Sequence, residues 1–253
     1  MKSLYWGVLI ALALGFTGNA RAQSEVTLLS PNPIQETMDK LVAGFQAKTG
    51  IHVKVTYGSG LSTRKQVASG QALDVSILFA PFPEALTTGN IVLGSATVIA
   101  RLRLGVAVKK GAPKPDISTL EAVKNTLLNA KSIAAIDPAQ GTAGAVTLAA
   151  LDELDITEQV KPKITWVRGA AAVQESVVKG ETEIALGPYT SEMDNPGIDI
   201  VGALPTDVST PVDITGFLST SAKDSKPAKM LLDYLASHEV APVYEEGKIF
   251  PAR

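Results

Sequence analysis

Residues 132–154, SIAAIDPAQGTAGAVTLAALDEL, join an apolar segment to a helical pattern through a polar turn. The first five of these residues have the length and apolarity of a buried strand, and Asp137 and Pro138 end it. Thr142 is predicted to be the N-cap of a helix, because apolar residues recur at helical spacing after it. The first turn of a helix has unpaired N–H groups and the positive end of the helix dipole. This segment therefore predicts a site for an anion or a polar ligand.

The same order of strand, turn and helix occurs twice earlier in the chain. Strand-like residues 25–30 are followed by Asn32, which is predicted to cap a helix with Pro33 at its first position. Apolar residues alternate over 51–57, which predicts a second strand, and the turn GSG at 58–60 precedes another helical pattern. The glycines of this turn allow the backbone to approach a ligand closely.

Strand-like and helical segments continue to alternate up to the C-terminus. This alternation predicts an α/β fold of mainly parallel sheets that are covered by helices. Ligands of such sheets bind beyond the carboxyl ends of the strands, and the polar turns described above lie at those ends.

The first 22 residues have the pattern of a cleaved secretory signal. A basic start at Lys2 is followed by an apolar segment and by Ala-Arg-Ala before Gln23. The apolar segment is shorter than the roughly 20 residues that a membrane anchor needs. Residues 1–22 are therefore predicted to be a signal peptide, and the mature chain is expected to be soluble.

Composition argues against several classes of function. The chain has 25 acidic and 23 basic side chains and no basic stripe, so nucleic-acid binding is not expected. It has no cysteine, which excludes disulfides, thiolate metal sites and cysteine nucleophiles. The two histidines, His52 and His238, lie in patterns typical of surface residues, and no G-x-S-x-G motif is present. A secreted hydrolase, a metal site and a bound cofactor are therefore not expected.

Five motifs occur in a fixed order along the chain: VTLLSPNP, VTYGSG, ASGQALDVSILFA, IDPAQGTAG and LGPYTSE. In this order and spacing they resemble type II periplasmic binding proteins of the molybdate-binding kind. The resemblance implies two α/β lobes with mostly parallel sheets and a ligand cleft between them. Residues 24–100 and 203–253 would form lobe 1, and residues 101–202 would form lobe 2. The protein would be a periplasmic monomer, not an enzyme, which delivers a small anion to the membrane permease of an ABC transporter.

The resemblance also implies a set of ligand-binding residues. In this family a tetrahedral oxyanion is held mainly by hydroxyl groups and backbone N–H groups. The matching positions in this chain are Asn32, Ser59, Gly60, Thr142, Ala143, Ala171 and Tyr189. Pro33 stands where the family has a serine, and Gly60-Leu61 interrupts a run that is usually rich in serine. Each lost donor to a charged ligand would cost about 1.5 to 3 kcal/mol, which leaves the identity of the anion open.

Arginines suggest a different ligand. After removal of the signal peptide the chain has five arginines, and two of them, Arg101 and Arg103, share one predicted strand near a lobe crossing. Arg64 lies one turn into a helix beside the predicted cleft. These side chains are either solvated surface charges or forks for a carboxylate, and we take Arg64 and Arg101 as candidate ligand-binding residues. A small organic acid is therefore the alternative to an inorganic oxyanion, and a periplasmic sensor module is the alternative to transport.

Overall fold

The structure is a computed structural model that describes residues 25–252, so the predicted signal peptide, residues 1–22, lies outside the described residues. The strands are β1 (Glu25–Pro31), β2 (His52–Gly58), β3 (Val75–Phe79), β4 (Thr97–Leu102), β5 (Leu104–Lys109), β6 (Ile133–Ile136), β7 (Ile164–Val167), β8 (Ile184–Pro188), β9 (Ile198–Ala203), β10 (Val212–Leu218) and β11 (Phe250–Pro251). The α-helices are α1 (Gln35–Thr49), α2 (Gly60–Ala68), α3 (Pro83–Leu86), α4 (Leu120–Asn129), α5 (Thr142–Glu153), α6 (Thr157–Val160), α7 (Gly169–Lys179), α8 (Lys226–Leu235) and α9 (Ala241–Glu246).

The strands form two sheets, which define the two lobes. The first lobe contains a six-stranded sheet in the order β11-β4-β10-β3-β1-β2, and the second contains a five-stranded sheet in the order β7-β6-β8-β5-β9. In the first sheet β1 to β4 run in one direction, while β10 and β11 run against them. In the second sheet β6 to β9 share one direction and β5 opposes them. The predicted two-lobed α/β fold with mostly parallel sheets is confirmed.

Both faces of the central strands are buried, because each sheet lies between helices. In β1, Leu28 packs into the core beneath α1 and α8, while the next residue, Leu29, packs into the core beneath α2. Both side chains are completely buried. In β6, Ala135 packs into the core under α4 and α5, and Ala134 packs into the core under α7. Alternation of side chains along a strand thus explains why these strands are apolar throughout.

The apolar stripe of α1 shows how the sequence produces this packing. Met38, Leu41 and Phe45 recur at spacings of three and four residues, and all three are buried against the first sheet. Complete burial of each such side chain stabilises the fold by about 1.5 to 3 kcal/mol. Gly50 ends the helix in the left-handed conformation at φ 69°, as expected for a glycine after the last turn.

The chain passes between the lobes at two places. Leu102 is the last residue of β4 and Leu104 is the first of β5, so Arg103 alone separates a strand of the first sheet from one of the second. The return crossing covers residues 204–211, between β9 and β10. No helix within residues 25–252 is long and apolar enough to cross a membrane.

A second set of contacts joins the two lobes. The backbone N–H of Ser191, in a 3-10 turn of the second lobe, donates to the carbonyl of Gly247 at 3.0 Å. Lys248 forms an ion pair with Asp194, which follows the same turn. The ring of Phe250 in β11 stacks on Tyr189 with 6.3 Å between ring centroids. The lobes are therefore in contact at the C-terminal segment 247–250 as well as at the crossings.

Two predicted helix caps differ in the structure. Asn32 does not cap α1: it begins a 3-10 turn, Asn32–Ile34, and α1 starts only at Gln35. Thr142 is the first residue inside α5, because the 3-10 turn Pro138–Gln140 brings Gly141 to the cap position.

Candidate functional site

A cavity of about 390 Å³ lies between the lobes, at the carboxyl ends of the strands that share one direction. Residues that follow β1, β2 and β4 line it from the first lobe: Asn32, Ser59 and Arg103. Residues at the ends of β6, β7 and β8 line it from the second lobe: Ile136, Arg168 and Pro188. Both sheets thus present the edge at which α/β proteins bind ligands.

The starts of α2 and α5 face each other across the cavity. Ser59 caps α2 by accepting a hydrogen bond from Ser62 N at 3.1 Å, and its hydroxyl hydrogen can still be donated to a ligand. A Cβ atom placed on Gly60, the first residue of α2, would lie 3.4 Å from Thr142 Oγ1 in α5, at ordinary contact distance. The two helix starts, one from each lobe, therefore lie close together.

Thr142 has a buried hydroxyl group at the start of α5. The residue is 7% exposed, and its Oγ1 has no hydrogen-bond partner among residues 25–252. Gly141 caps α5 without a side-chain hydrogen bond, so the N–H groups of Thr142 and Ala143 also lack a capping acceptor. An anionic or carbonyl oxygen of a ligand in the cavity would satisfy these donors.

A third helix start, that of α7, lies on the same cavity. Gly169 adopts φ 82° and the helix has no side-chain cap, while Ala170 and Ala171 in the first turn line the cavity. The positive φ turns the chain sharply from β7 into the helix, a conformation that glycine adopts without strain. The unpaired N–H groups of this first turn add to those of α5.

Two guanidinium groups border the cavity. Arg103 Nη2 donates to the carbonyl of Leu204, its guanidinium lies 4.8 Å from the centroid of the Phe250 ring, and its buried Nε has no partner among the described residues. Arg168 is the residue before α7, and its side chain is exposed on the cavity wall. One arginine thus lies at a lobe crossing and is held by its contacts, while the other is exposed on the second lobe.

The cavity wall also includes one carboxyl group, that of Glu192 in the turn Ser191–Met193. The walls of the cleft partly remove water from this group and raise its pKa, although one side of Glu192 stays open to solvent. Among residues 25–252, no group of three or more histidine, cysteine, aspartate or glutamate side chains has an arrangement that could hold a metal ion.

Six of the nine sequence-predicted site residues line the cavity: Asn32, Ser59, Gly60, Thr142, Ala143 and Ala171. Arg64, Arg101 and Tyr189 do not line it. Arg64 instead donates to the carbonyl of Pro81 and lies 3.9 Å from Glu84, within the first lobe. Tyr189 packs beside Gly105 and stacks on Phe250, behind the cavity wall formed by Pro188.

The prediction that Arg101 and Arg103 share one strand was wrong. Arg101 lies in β4 and pairs with Asp213 of the neighbouring strand β10, with 3.0 Å between Nε and Oδ1. Arg103 lies after β4 has ended, at the point where the chain leaves the first sheet. Strand alternation does not extend past Leu102, so it does not determine where the side chain of Arg103 lies.

Arg168 and Glu192 were missed in the sequence. Arg168 follows the strand ITWV directly and precedes a glycine, which is the same signal that indicated Ser59. Glu192 follows Tyr189 within the polar segment TSE, so its place after β8 could have indicated it as well.

Comparisons with known proteins agree with this architecture. The family described as bacterial extracellular solute-binding protein matches residues 26–247. A protein named aconitate isomerase from Pseudomonas sp is 27% identical over 249 residues, which are 95% of this chain and 94% of that protein. The molybdate-binding protein ModA of Escherichia coli is 23% identical, with 93% of each chain covered.

A solved structure shows the same fold at lower identity. The substrate-binding domain of a putative molybdenum ABC transporter from Clostridium difficile superposes with a TM-score of 0.77 at 16% identity, covering 91% of this chain and all of that one. The chain therefore belongs to the bacterial extracellular solute-binding proteins, and within them it is a divergent type II periplasmic binding protein that resembles the molybdate-binding components.

Proposed function

We propose that this protein is an exported solute-binding protein whose ligand is a small organic anion with two or more carboxylate groups. The observation that carries the proposal is the presence of Arg103 and Arg168 on a cavity that also has three helix starts. A guanidinium binds a carboxylate through two parallel hydrogen bonds, and two guanidinium groups on separate elements suit two carboxylates. The helix starts would hold a further carboxylate or carbonyl oxygen.

An inorganic oxyanion fits the cavity less well. A tetrahedral oxyanion is much smaller than about 390 Å³, a volume typical of sites for organic ligands. Pro33 lines the cavity without a backbone N–H or a hydroxyl group. Phe79, Leu104 and Val146 add apolar surface that would contact the carbon skeleton of an organic acid and gives nothing to molybdate.

Transport is the role that the family favours. Solute-binding proteins of this family serve ABC transporters, so the loaded protein would present its ligand to a membrane permease as a monomer in the periplasm. Intact mass of protein recovered from the periplasm would test export, with a mature start at Gln23 as the expected result. Retention of residues 1–22 on a membrane-bound chain would contradict it.

A second candidate function is isomerisation of an unsaturated polycarboxylic acid in the same cleft. The specific observation in its favour is the relative named aconitate isomerase, which is similar over nearly the whole chain. Aconitate carries three carboxylates, in agreement with the two arginines and the helix starts that line the cavity.

Isothermal titration calorimetry tests the class of ligand. We expect the purified protein to bind a dicarboxylate or tricarboxylate more tightly than the matching monocarboxylate, and molybdate or sulfate weakly. Loss of one charged, bidentate contact costs about 1.5 to 3 kcal/mol, so Arg168→Met should weaken binding of the best acid about ten- to a hundredfold. Arg103→Met should do the same.

Arg101→Met is the matched control. It removes an equal charge from β4, two residues before Arg103, where Arg101 pairs with Asp213 outside the cavity. The affinity for the best acid should therefore stay within about twofold of the wild-type value. Tight binding of molybdate together with no response to any carboxylate would overturn the proposal.

A further inference from the structure

Glu192 is the only acidic side chain among the residues that line the cavity. Its position is fixed through its backbone. The N–H of Glu192 donates to Thr190 Oγ1 at 3.3 Å, and its carbonyl accepts from Gln174 of α7. The neighbouring Ser191 is joined to the other lobe through Gly247. These contacts present the side chain of Glu192 to the cleft from the wall of the second lobe.

The carboxyl group itself has no partner in the part of the chain that the structure describes. No hydrogen bond or ion pair to its oxygens occurs within residues 25–252, and burial alone accounts for its raised pKa. Two lysines of the first lobe are paired with other carboxylates: Lys248 with Asp194, and Lys40 with Glu36 and Glu246. The backbone of Glu192 is thus firmly held, while its carboxyl is free to meet a ligand.

An unpaired carboxylate is a disadvantage in a cleft that only binds anions. It repels a negative ligand, and its partial burial disfavours the charged form further. Both effects favour a pKa raised above the ordinary value of the carboxyl, which is the direction of shift that suits a general acid or base. The arrangement of two arginines, three helix starts and one unpaired carboxyl is therefore better suited to proton transfer than to capture alone.

We propose that Glu192 is a catalytic residue that moves a proton between two carbon atoms of a bound unsaturated polycarboxylate. This inference rests on the proposed carboxylate-binding function. The Glu192 carboxylate takes a proton from a methylene group next to a carboxylate. The electrons of that C–H bond form a new carbon–carbon double bond, and the electrons of the old double bond take the proton back from Glu192 at the far carbon. The double bond shifts by one position, and no oxidant, reductant or water is consumed.

The other groups of the cavity have defined roles in this step. Negative charge spreads from the carbon atoms into the adjacent carboxylates while Glu192 holds the proton. Arg103, Arg168 and the first-turn N–H groups of α5 and α7 are the donors that would stabilise this charge. The apolar part of the wall, which includes Ile136 and Val146, would limit access of water to the delocalised carbanion.

The test uses the full mature protein and trans-aconitate as the probe. Proton NMR in D₂O follows deuterium entry into the carbon positions and the appearance of the cis isomer, and calorimetry measures binding in parallel. The variant Glu192→Gln keeps the shape of the side chain but cannot take up the proton. We expect it to bind trans-aconitate as tightly as the wild type or more tightly, and to lose exchange and isomerisation about a hundredfold to ten-thousandfold.

Glu175→Gln is the charge-matched control, because Glu175 is exposed on α7 and pairs with Lys179 away from the cavity. It should exchange at the wild-type rate. Wild-type protein that binds trans-aconitate but catalyses neither exchange nor isomerisation would overturn the inference and leave the binding function in place. Equal turnover by Glu192→Gln would overturn the role of Glu192. Failure of the wild type to bind any polycarboxylate would overturn both the inference and the proposed function.

Discussion

Gly144→Ala should destabilise the protein and disturb the anion site together. Gly144 lies in the first turn of α5, where a Cβ atom would lie 2.4 Å from the carbonyl oxygen of Ile136 and 2.5 Å from Pro138 N. Both atoms belong to the backbone and cannot rotate away. Ordinary contact begins at 3.4 Å, so the helix start would have to move by about 1 Å.

The size of the effect follows from two opposing terms. Overpacking of this kind costs about 1 to 3 kcal/mol, and the upper end applies here because only backbone can yield. Alanine is favoured over glycine inside a helix by about 1 kcal/mol. The net loss is therefore about 2 kcal/mol, which for a chain of this size lowers the melting temperature by about 4 to 8 °C.

Thermal unfolding monitored by circular dichroism measures this shift. Gly187→Ala is the control in the same lobe, because nothing lies within 4 Å of the added Cβ, and its melting temperature should stay close to that of the wild type. Ligand affinity of Gly144→Ala should fall as well, since the N–H groups of Thr142 and Ala143 move with the helix. A melting temperature equal to or above that of the wild type would refute the close packing of α5 on the turn after β6.

Three further predictions concern other parts of the molecule. Tyr244→Phe removes a buried hydrogen bond of 2.9 Å to the carbonyl of Leu235, so urea unfolding should show a loss of about 1 to 3 kcal/mol; an unchanged midpoint would contradict that bond. The folded state raises the pKa of Glu192 above its ordinary 4.5, so just above pH 4.5 the folded protein binds more protons than the unfolded chain. The stability that this group contributes is therefore lost as pH rises through the raised pKa. Glu192→Gln should therefore raise the melting temperature of ligand-free protein at pH 7 but not at pH 4, and an equal shift at both pH values would exclude this linkage. Lys248→Met removes the exposed ion pair with Asp194 between the lobes, worth about 0.2 to 1 kcal/mol, so small-angle scattering of the ligand-free variant should show a larger radius of gyration, which saturating ligand should reverse.

The sequence predicts the fold well because local patterns determine it. Alternation of apolar residues and the polar turns after strands identify the βα units and the sheet edge at which Ser59, Thr142 and Ala171 lie. These turns are local features, so they can be read from a few neighbouring residues. Side chains whose surroundings come from distant parts of the chain are harder to place.

Arg101 and Arg103 illustrate the difference. Only the pairing of β4 with β10, more than 100 residues later, provides Asp213 as the partner of Arg101. The position of Arg103 depends on where the chain leaves one sheet for the other, and no local pattern marks that residue. The position of Glu192 depends on the same kind of distant contact, because its turn is bonded to Gln174 in the second lobe and to Gly247 in the first.

The order of strands also determines how the two lobes can form as the chain emerges with its N-terminus first. Every strand of the second sheet comes from the continuous segment 104–203, so that lobe is complete as soon as this segment has emerged. The first sheet cannot be completed then, because β10 lies between β3 and β4 and follows them by more than 100 residues. Until β10 is added, β3 has an unpaired edge that invites pairing with other chains. The second lobe should therefore fold first, and the first lobe should be the part of the newly emerged protein that depends on rapid completion or on chaperones.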